Sequence, residues 1–310
     1  MNNPIQRNTR VVITGADGFV GKHAMRVFRE RGHDVLELVG GAGYSNARQI
    51  DLRDASSIRR ALDGSKATHV LHLAGASSVA RSHESPGEPF AINTLGTVHL
   101  LDAVHHTIPN AQVVIVSSGE VYGNLDHSAR EDDPTNPTSP YAASKLAAEV
   151  AARQFHTSYG LSVVIARPFN HIGPGQAAHF VVPSFARQLV EIKRSGRGEL
   201  RVGNLEGVRD FSHVLDVVDA YEILLERGVA GETYNIASGE GRSIRSLLDE
   251  LIGVADVEVR PALDPARVRP VEITRLIGTC DALHALGWQN SRTIADALAR
   301  VLGEADTDVQ

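Results

Sequence analysis

Over the first two-thirds of this 310-residue chain, short runs of β-branched and aliphatic residues alternate with longer amphipathic segments. A period of two within short apolar runs is typical of strands, and a period near 3.6 is typical of helices. The pattern predicts strands at residues 10–14, 34–39, 69–73, 112–117 and 162–167. It predicts helices between them at residues 21–31, 55–62, 90–106 and 139–159. Strands that alternate with helices form a parallel sheet covered on both faces, so the fold expected is a doubly wound α/β domain.

The pattern becomes less regular after Pro168. Helices are predicted at residues 182–195, 212–227, 241–253 and 293–302, and short strands at residues 199–202 and 232–237. The last of these strands is expected to return to the main sheet. We therefore expect a main domain over residues 1–168, completed by about residues 208–237, and a smaller mixed α/β lobe from residues 169–207 and 238–310.

The first predicted strand leads into a turn with glycines at positions 15, 18 and 21, and then into a helix. Glycines at such a turn let the backbone approach a pyrophosphate, and the N–H groups at the helix N-terminus bind the anion. The spacing is G-x-x-G-x-x-G rather than G-x-G-x-x-G, but its position on the first strand of a β-α-β pattern strengthens the signal. This feature predicts a Rossmann-like domain that binds a nicotinamide dinucleotide through Gly15, Asp17, Gly18, Phe19 and Val20.

The end of the second strand leaves the choice between NAD and NADP open. A carboxylate there would hold the ribose 2′-hydroxyl of NAD. Glu37 lies within the strand, Val39 ends it, and no arginine follows at once to bind a 2′-phosphate. Lys22 and Arg48 are the basic residues of neighbouring segments that would reach a 2′-phosphate. NADPH is slightly favoured if the protein is a reductase.

Two further segments are expected at the cofactor. Asp51 and Leu52 follow a short third strand, where they would meet the adenine ring, although a helix cap at Asp51 or Asp54 is an equal alternative. The fourth strand ends at Leu73, Ala74 and Gly75, and the small residues of this segment leave room for a dinucleotide across the sheet edge. Asn93 in the next helix is expected to tie backbone together.

Candidate chemistry lies on the helix at residues 139–159, where Tyr141 and Lys145 are four residues apart and share one face. A tyrosine with a pKa near ~10 is a weak acid–base catalyst at neutral pH unless a cation stabilises its phenolate. The preceding strand would bring Ser118 to the same edge of the sheet, where its hydroxyl can bond a substrate oxygen. Ser118, Tyr141 and Lys145 are therefore the predicted catalytic residues.

Composition narrows the function classes. The chain is 42% hydrophobic and 22% charged, which is ordinary for a globular protein. A formal charge of −6 argues against a broad nucleic-acid surface, and no apolar run approaches the roughly 20 residues of a membrane span. The single cysteine, Cys280, fits a reducing compartment, so a cytoplasmic location is expected. The spacing of the 14 histidines suits no metal site.

These motifs together resemble the extended short-chain dehydrogenases/reductases, the superfamily of nucleotide-sugar epimerases, dehydratases and reductases. The resemblance runs from Val11 to about Trp288 and rests on segments 14–21 (TGADGFVG), 117–123 (SSGEVYG), 139–145 (SPYAASK) and 167–175 (RPFNHIGPG). Segments 202–211 (VGNLEGVRDF) and 264–267 (DPAR) are similar to the branch that reduces GDP-4-keto-6-deoxy-D-mannose.

The resemblance implies NAD(P)H-dependent reduction of the C4 keto group of a GDP-linked 4-keto-6-deoxy sugar, which would give GDP-D-rhamnose. Tyr141 would be the general acid, Lys145 would hold the nicotinamide ribose, and Ser118 would orient the keto oxygen. Ser117 and Pro168 would add cofactor contacts. The implied substrate contacts, which would make the C-terminal lobe a nucleotide-sugar lobe, are Ser118, Glu120, Asn170, Val181, Arg187, Lys193, Arg209, Arg269 and Glu272.

One departure from the dehydratases bears on the reaction. They carry an acidic or hydroxyl residue followed by a glutamate after the serine, and this chain has Gly119 and Glu120 there. Glycine has no side chain to protonate a leaving hydroxyl, so elimination loses support, while Glu120 stays a candidate catalytic or lining residue. A 4-epimerase or a 4,6-dehydratase with tightly bound NAD(P) is the alternative. A redox-sensing binding protein is a third, which the intact Ser118, Tyr141 and Lys145 argue against.

The two long helices predicted at residues 90–106 and 139–159 carry apolar residues on more than one face. The equivalent helices form a dimer interface in the superfamily, so a homodimer is expected. The alternative is that both helices are buried within one subunit.

Overall fold

A computed structural model describes residues 9–41, 47–268 and 273–308 of the chain. Its strands are β1 (Arg10–Thr14), β2 (Asp34–Val39), β3 (Arg48–Gln49), β4 (His69–His72), β5 (Gln112–Val116), β6 (Ser162–Pro168), β7 (Asn170–Ile172), β8 (Leu200–Val202), β9 (Val208–His213), β10 (Thr233–Ile236), β11 (Gly241–Ser243), β12 (Pro261–Leu263) and β13 (Arg275–Leu276).

The helices lie between these strands. They are α1 (Phe19–Glu30), α2 (Ala55–Leu62), α3 (Val79–Glu84), α4 (Gly87–Pro89), α5 (Gly96–Thr107), α6 (Pro140–Tyr159), α7 (Val181–Ser195), α8 (Val214–Arg227), α9 (Ile244–Ala255), α10 (Asp281–Ala285) and α11 (Ile294–Asp308). A π-helical segment, Phe90–Leu95, joins α4 to α5, and 3-10 turns occur at Gly119–Tyr122 and Pro265–Arg267.

Seven strands form one parallel sheet in the order β10-β6-β5-β4-β1-β2-β3. The chain winds outward from β1 in one direction and from β4 in the other, so a crevice opens between the carboxyl ends of these two strands. This topology confirms the predicted Rossmann-like doubly wound fold. The strand expected to return to the sheet does so as β10, which pairs with β6.

The side chains of β1 alternate between two apolar cores, one on each face of the sheet. Val11 and Ile13 pack with Phe28 of α1 and with α8 on one face. Val12 points the other way and packs with α2, α5 and α6. Successive side chains of a strand face opposite sides, so a buried parallel strand needs the unbroken apolar run seen here.

The remaining elements form the smaller lobe. β11, β9 and β13 make a sheet that β7 joins through β9, and β8 pairs with β12. An apolar core unites α7, α9 and α11 beneath these strands. We propose the chain division expected from the sequence, with the lobe assembled from residues 169–207 and 238–310. β9, at the start of the segment that completes the main domain, differs from this division because it pairs with strands of the lobe.

Two predicted helices begin too early. Residue 212 lies in β9, and α8 starts only after His213, whose Nδ1 accepts the N–H of Leu215 at 3.0 Å. Residues 241–243 form β11 against β9, and α9 starts after Ser243, which accepts the N–H of Ser246 at 3.0 Å. In both places a capping side chain sets the helix start, while the residues before it are taken up by sheet pairing.

Within the described ranges, no helix combines the length and apolar character needed to cross a bilayer.

Candidate active site

A groove of about 880 Å³ lies at the crevice between β1 and β4. Its lining contains eight of the residues predicted to bind the cofactor: Gly15, Asp17, Gly18, Asp51, Leu52, Leu73, Ala74 and Gly75. His179, which precedes α7, closes one side from the smaller lobe. The structure thus gathers segments from four separate strand ends into one cavity.

The glycine turn lines the groove and packs so closely against neighbouring backbone that side chains do not fit at Gly15 and Gly21. Gly15 has φ +66°, and a Cβ there would lie 2.8 Å from the backbone nitrogen of Ala74. A Cβ on Gly21 would lie 2.1 Å from the carbonyl oxygen of Gly15. No side chain caps α1 at Gly18. The first N–H groups of α1 therefore remain available to an anion, which suits a pyrophosphate.

The two acidic residues predicted to bind the cofactor, Asp17 and Asp51, are both held in place. Asp17 accepts the N–H of Gly41 at 3.2 Å and so positions the loop after β2. Asp51 accepts the Arg53 guanidinium at 2.8 and 3.0 Å, and this hydrogen bond lowers the pKa of Asp51. Asp54 caps α2 by accepting the N–H of Ser56 at 2.9 Å. The helix cap is therefore Asp54, while Asp51 lines the groove.

The basic residues singled out near the 2′ position point elsewhere. Arg48 donates to the carbonyl of Ala61 at 2.5 Å. Lys22 lines a separate hollow of about 450 Å³ on the outer side of α1. The arginines that line the groove are Arg53 and Arg81, which sequence reasoning missed. Arg53 follows the singled-out Asp51–Leu52 pair, whereas no sequence signal marks Arg81.

Local sequence explains where the catalytic helix begins. Ser139 accepts the N–H of Ala142 at 3.1 Å, and Pro140 occupies the first turn of α6. Both are favoured helix-start residues. Lys145, one turn after Tyr141, is 8% exposed, and its ammonium donates to the carbonyl of Val116 at 2.8 Å. Burial lowers the pKa of Lys145 to about 8, and the charge of Glu149 opposes this shift.

Tyr141 lies beside Ser118 and Glu120. Burial raises the pKa of Tyr141 above its ordinary value, the charge of Glu120 adds to the rise, and a side-chain hydrogen bond with Ser118 opposes it. Ser118 Oγ accepts the N–H of Glu120 at 3.2 Å, which leaves its own proton to donate. The phenol is therefore protonated at neutral pH and placed next to a second hydroxyl donor.

Gly119 follows Ser118 against the ring of Phe169. A Cβ at position 119 would lie 3.0 Å from the Phe169 ring. A side chain at this position would therefore require the Phe169 ring to shift.

A buried chain of hydrogen bonds, which we term the His72 chain, runs beneath the groove. The N–H of Ala74 donates to Thr14 Oγ1 at 3.1 Å, so the Thr14 proton goes to His72 Nδ1 at 2.7 Å. The remaining His72 proton is then on Nε2, which lies 3.2 Å from Thr97 Oγ1. Thr97 donates to the carbonyl of Asn93 at 2.6 Å. Burial lowers the pKa of His72 to about 3, which keeps the ring neutral as this arrangement requires.

The His72 chain continues through Asn93, which lies in the π-helical segment. The Asn93 side chain accepts the N–H of Ala76 at 2.8 Å and donates to its carbonyl at 3.1 Å, so it ties backbone as expected. Its amide also donates to Ser144 Oγ at 2.9 Å, and Ser144 donates to the carbonyl of Tyr141 at 2.7 Å. π-helical segments often mark functional sites. Here the segment connects the groove backbone with the helix that carries Tyr141 and Lys145.

The other cofactor candidates lie at or near the same edge. The Ser117 hydroxyl donates to Glu149 at 2.5 Å and so points into the protein. Pro168 ends β6 beside Ile236 of β10. Phe19 stacks on His171 of β7, with ring centroids 5.9 Å apart. Val20, the second residue of α1, packs against the apolar core that α1 and α8 share.

The candidate substrate residues are more dispersed. Asn170 lies in β7 opposite Phe211, and Val181 begins α7. Arg209 in β9 lies opposite Arg242 of β11. Arg187 is exposed on α7. Lys193 donates to the carbonyl of Ala255 at 2.7 Å, which places its ammonium at the end of α9. Arg269 and Glu272 lie outside the described residues.

Fold and site together are those of an extended short-chain dehydrogenase/reductase, as the motifs implied. Within that class, the chain belongs to the family described as GDP-mannose 4,6 dehydratase, whose model matches residues 12–301.

Three relatives illustrate the range of activities near this chain. It is 37% identical to GDP-6-deoxy-D-mannose reductase from Pseudomonas aeruginosa, over 97% of this chain and 98% of that protein. The structure of RMD from Pseudomonas aeruginosa complexed with NADPH matches with a TM-score of 0.87 at 35% identity, covering 97% of this chain and 98% of the other. UDP-glucose 4-epimerase from Thermus thermophilus, in complex with NAD, matches with a TM-score of 0.86 at 31% identity, covering 96% and 99% of the two chains.

Proposed function

We propose that this protein is an NAD(P)H-dependent reductase that converts the C4 keto group of a GDP-4-keto-6-deoxy sugar to a hydroxyl. The specific reaction would be GDP-4-keto-6-deoxy-D-mannose to GDP-D-rhamnose. Support comes from the full-length similarity to a GDP-6-deoxy-D-mannose reductase and from the fold shared with an NADPH complex.

The groove fits a dinucleotide, because Gly15 and Gly18 line it and the start of α1 beside them has no side-chain cap. The pyrophosphate would lie at the start of α1 near Gly15 and Gly18, and the adenine near Asp51 and Leu52. Lys145 would reach the nicotinamide ribose. When bound, the reduced cofactor supplies the hydride.

The protein's own residues would supply the proton and orient the substrate. Tyr141 donates its phenolic proton to the C4 oxygen as negative charge develops there. Ser118 donates a hydrogen bond to the same oxygen and holds it in line. The raised pKa of Tyr141 keeps its phenol protonated at neutral pH, and the ammonium of Lys145, one helical turn away, is the cation that would stabilise the phenolate formed on proton transfer.

The observation that favours reduction is the contact between Gly119 and Phe169. Elimination of water needs a proton donor for the leaving hydroxyl, and position 119 has no side chain and a tight contact with the Phe169 ring. A carbonyl reduction needs no such donor.

The alternative is a 4-epimerase or 4,6-dehydratase with tightly bound NAD(P), and Glu120 favours it. Its carboxylate lies close enough to Tyr141 to raise the pKa of the phenol. A glutamate at this place is what elimination would use as a base. The two reactions differ in whether the cofactor is consumed.

The substrate's diphosphate would be bound by Arg209, with Asn170 and Arg187 near it. Arginine suits a diphosphate because its planar fork bonds two oxygens at once. Arg269 and Glu272 stay sequence-based predictions. Lys193 is engaged at the end of α9, which weakens its candidacy.

The protein would act as a homodimer through α5, α6 and the π-helical segment. Large apolar side chains are exposed there, with Leu95 53%, Val150 60% and Tyr159 52% accessible. Apolar groups exposed on adjacent helices indicate an interaction site. A cytoplasmic location stays a prediction.

The substrate proposal is tested with a panel of 4-keto-6-deoxy sugars linked to GDP, UDP or dTDP. Oxidation of NADPH and of NADH is followed by loss of absorbance. We expect the GDP-linked compound to have the highest kcat/KM. Equal rates across the three bases would contradict guanine recognition, and no oxidation with any of them would contradict reduction.

A further inference from the structure

Glu149 is a buried carboxylate directly behind the catalytic residues. It follows Lys145 by one helical turn of α6 and is 0% exposed. One of its oxygens accepts the Ser117 hydroxyl at 2.5 Å and Arg167 Nε at 2.9 Å. The other accepts Arg167 Nη2 at 2.7 Å and Arg153 Nη2 at 3.2 Å. A carboxylate removed from water is strongly unfavourable unless it is paired and hydrogen-bonded, and here both conditions are met.

Arg167 extends this cluster away from the helix. Its Nη1 donates to Tyr122 Oη at 2.8 Å, and Tyr122 donates to Asn235 Oδ1 in β10 at 2.8 Å. The guanidinium carbon also lies 4.8 Å from the centre of the Tyr122 ring. The side chains of β6 and β10 are therefore fixed around Glu149, so its position is set from three sides.

The charges around Lys145 explain why a carboxylate is needed. The titratable side chains around Lys145 come from three elements. Tyr141 and Glu149 lie on its own helix, His72 lies on β4, and Arg167 lies on β6 behind Glu149. His72 is neutral, since burial lowers its pKa to about 3. Glu149 is thus the anion that opposes the desolvation of the Lys145 ammonium. Without it, two buried cations would share this region.

We propose that Glu149 is a positioning residue for the reaction: its carboxylate anchors Ser117 at the end of β5 and holds Lys145 as an ammonium directed at the cofactor groove. The inference rests on the proposed function for the role of Lys145. A purely structural carboxylate would only pair with Arg167, whereas Glu149 also bonds the hydroxyl of Ser117, the residue before Ser118, and its charge acts on Lys145, one helical turn away.

The test is the pH profile of Glu149→Gln, which keeps the shape and removes the charge. The alkaline limb of kcat/KM should move to lower pH by about one unit, because the charge of Glu149 raises the pKa of Lys145 and a neighbouring opposite charge typically shifts a pKa by one unit or more. Glu149→Asp keeps a carboxylate, so its limb should match that of the wild type even if kcat falls. An unshifted limb in Glu149→Gln would overturn the proposal.

Glu222→Gln is the matched control. Glu222 is also a buried carboxylate, paired with Arg31 and 3.0 Å from His33 Nε2, but it lies at the opposite edge of the sheet. The Glu222→Gln variant should be less stable than the wild type, but the alkaline limb of its kcat/KM profile should stay in place. An equal shift in Glu222→Gln would show that the effect is general destabilisation and would contradict the proposal.

Two further measurements keep the test decisive. If Glu149→Gln does not fold, the double variant Glu149→Gln, Arg167→Met also removes the buried guanidinium that Glu149 pairs with, and the alkaline limb of its kcat/KM profile should still be shifted. A wild-type limb in this double variant would overturn the proposal. NADPH affinity, followed by cofactor fluorescence against pH, needs no sugar. A wild-type protein that binds NADPH but reduces no keto sugar defeats the proposed function, while the binding profile of Glu149→Gln still decides the role of Glu149.

Discussion

The side-chain amide of Asn93 donates to the hydroxyl of Ser144 over 2.9 Å, deep between the cofactor groove and the catalytic helix. Both residues are buried, at 2% and 0% exposure. Because Asn93 also bonds both backbone groups of Ala76, one side chain fixes the distance between the groove wall and α6.

Replacing Asn93 should therefore destabilise both the groove wall at Ala76 and the packing of α6 against it. Asn93→Ala removes the two bonds to the partly buried backbone of Ala76 and the buried bond to Ser144, so we expect a loss of about 1–3 kcal/mol in unfolding free energy. NADPH affinity should fall with it. Ser144→Ala is the control, because Asn93 keeps its bonds to Ala76 and the loss should be smaller. Equal denaturation midpoints for the two variants would contradict this account of Asn93.

Tyr141→Phe should reduce turnover by about 10²–10⁴-fold, since a positioned general acid typically contributes that much. NADPH binding should persist, because the change removes one hydroxyl and leaves the groove intact. Tyr159→Phe, at the exposed end of the same helix, is the matched control and should retain wild-type kcat. Stopped-flow oxidation of NADPH measures both variants, and wild-type turnover by Tyr141→Phe would remove the phenol from the mechanism.

His72 should make the fold sensitive to acid. Its pKa falls from 6.5 in the unfolded chain to about 3 when folded, so the unfolded state binds the extra proton between these values. Stability is therefore lost as pH falls from 6.5 towards 3. His72→Gln should be less stable near neutrality but should show a shallower loss below pH 6.5. Denaturant unfolding across this range checks it, with the exposed His106→Gln as control, and an unchanged slope would contradict a neutral buried His72.

Val150→Arg should convert the proposed dimer to a monomer. Val150 is 60% exposed on α6, and a charge there would be buried without a partner in a helical interface. Light scattering after gel filtration measures the mass. Val254→Arg, on an exposed valine of α9, should leave the mass unchanged. A wild-type protein that is already monomeric would contradict the proposal.

Much of the fold followed from the sequence because its strands are buried on both faces. The predicted limits of β1 and β2 agree with the structure, as do those of α2, since apolar runs and a capping Asp54 mark them locally. β7, β11 and β13 carry no such pattern. They are two or three residues long and exist through pairing with β9.

The sequence predicts those residues of the candidate site whose chemistry requires a fixed spacing along the chain. It does not predict those whose role depends on contacts between distant segments. The glycine turn and the Tyr141–Lys145 pair each follow a local rule. Glu149 and His72 gave no such signal, because their partners Arg167, Ser117, Thr14 and Thr97 come from other elements. From the sequence, Lys193 is predicted to bind the substrate. The structure shows instead that its ammonium donates to a carbonyl at the end of α9.

The central claim is most directly tested by the stoichiometry of the cofactor. Purified protein is mixed with GDP-4-keto-6-deoxy-D-mannose and excess NADPH, and NADPH oxidised is compared with product formed by chromatography. The account predicts one NADPH consumed for each molecule of 6-deoxy product. Product formed without net loss of NADPH would contradict it and would show that the enzyme returns its cofactor at every turnover.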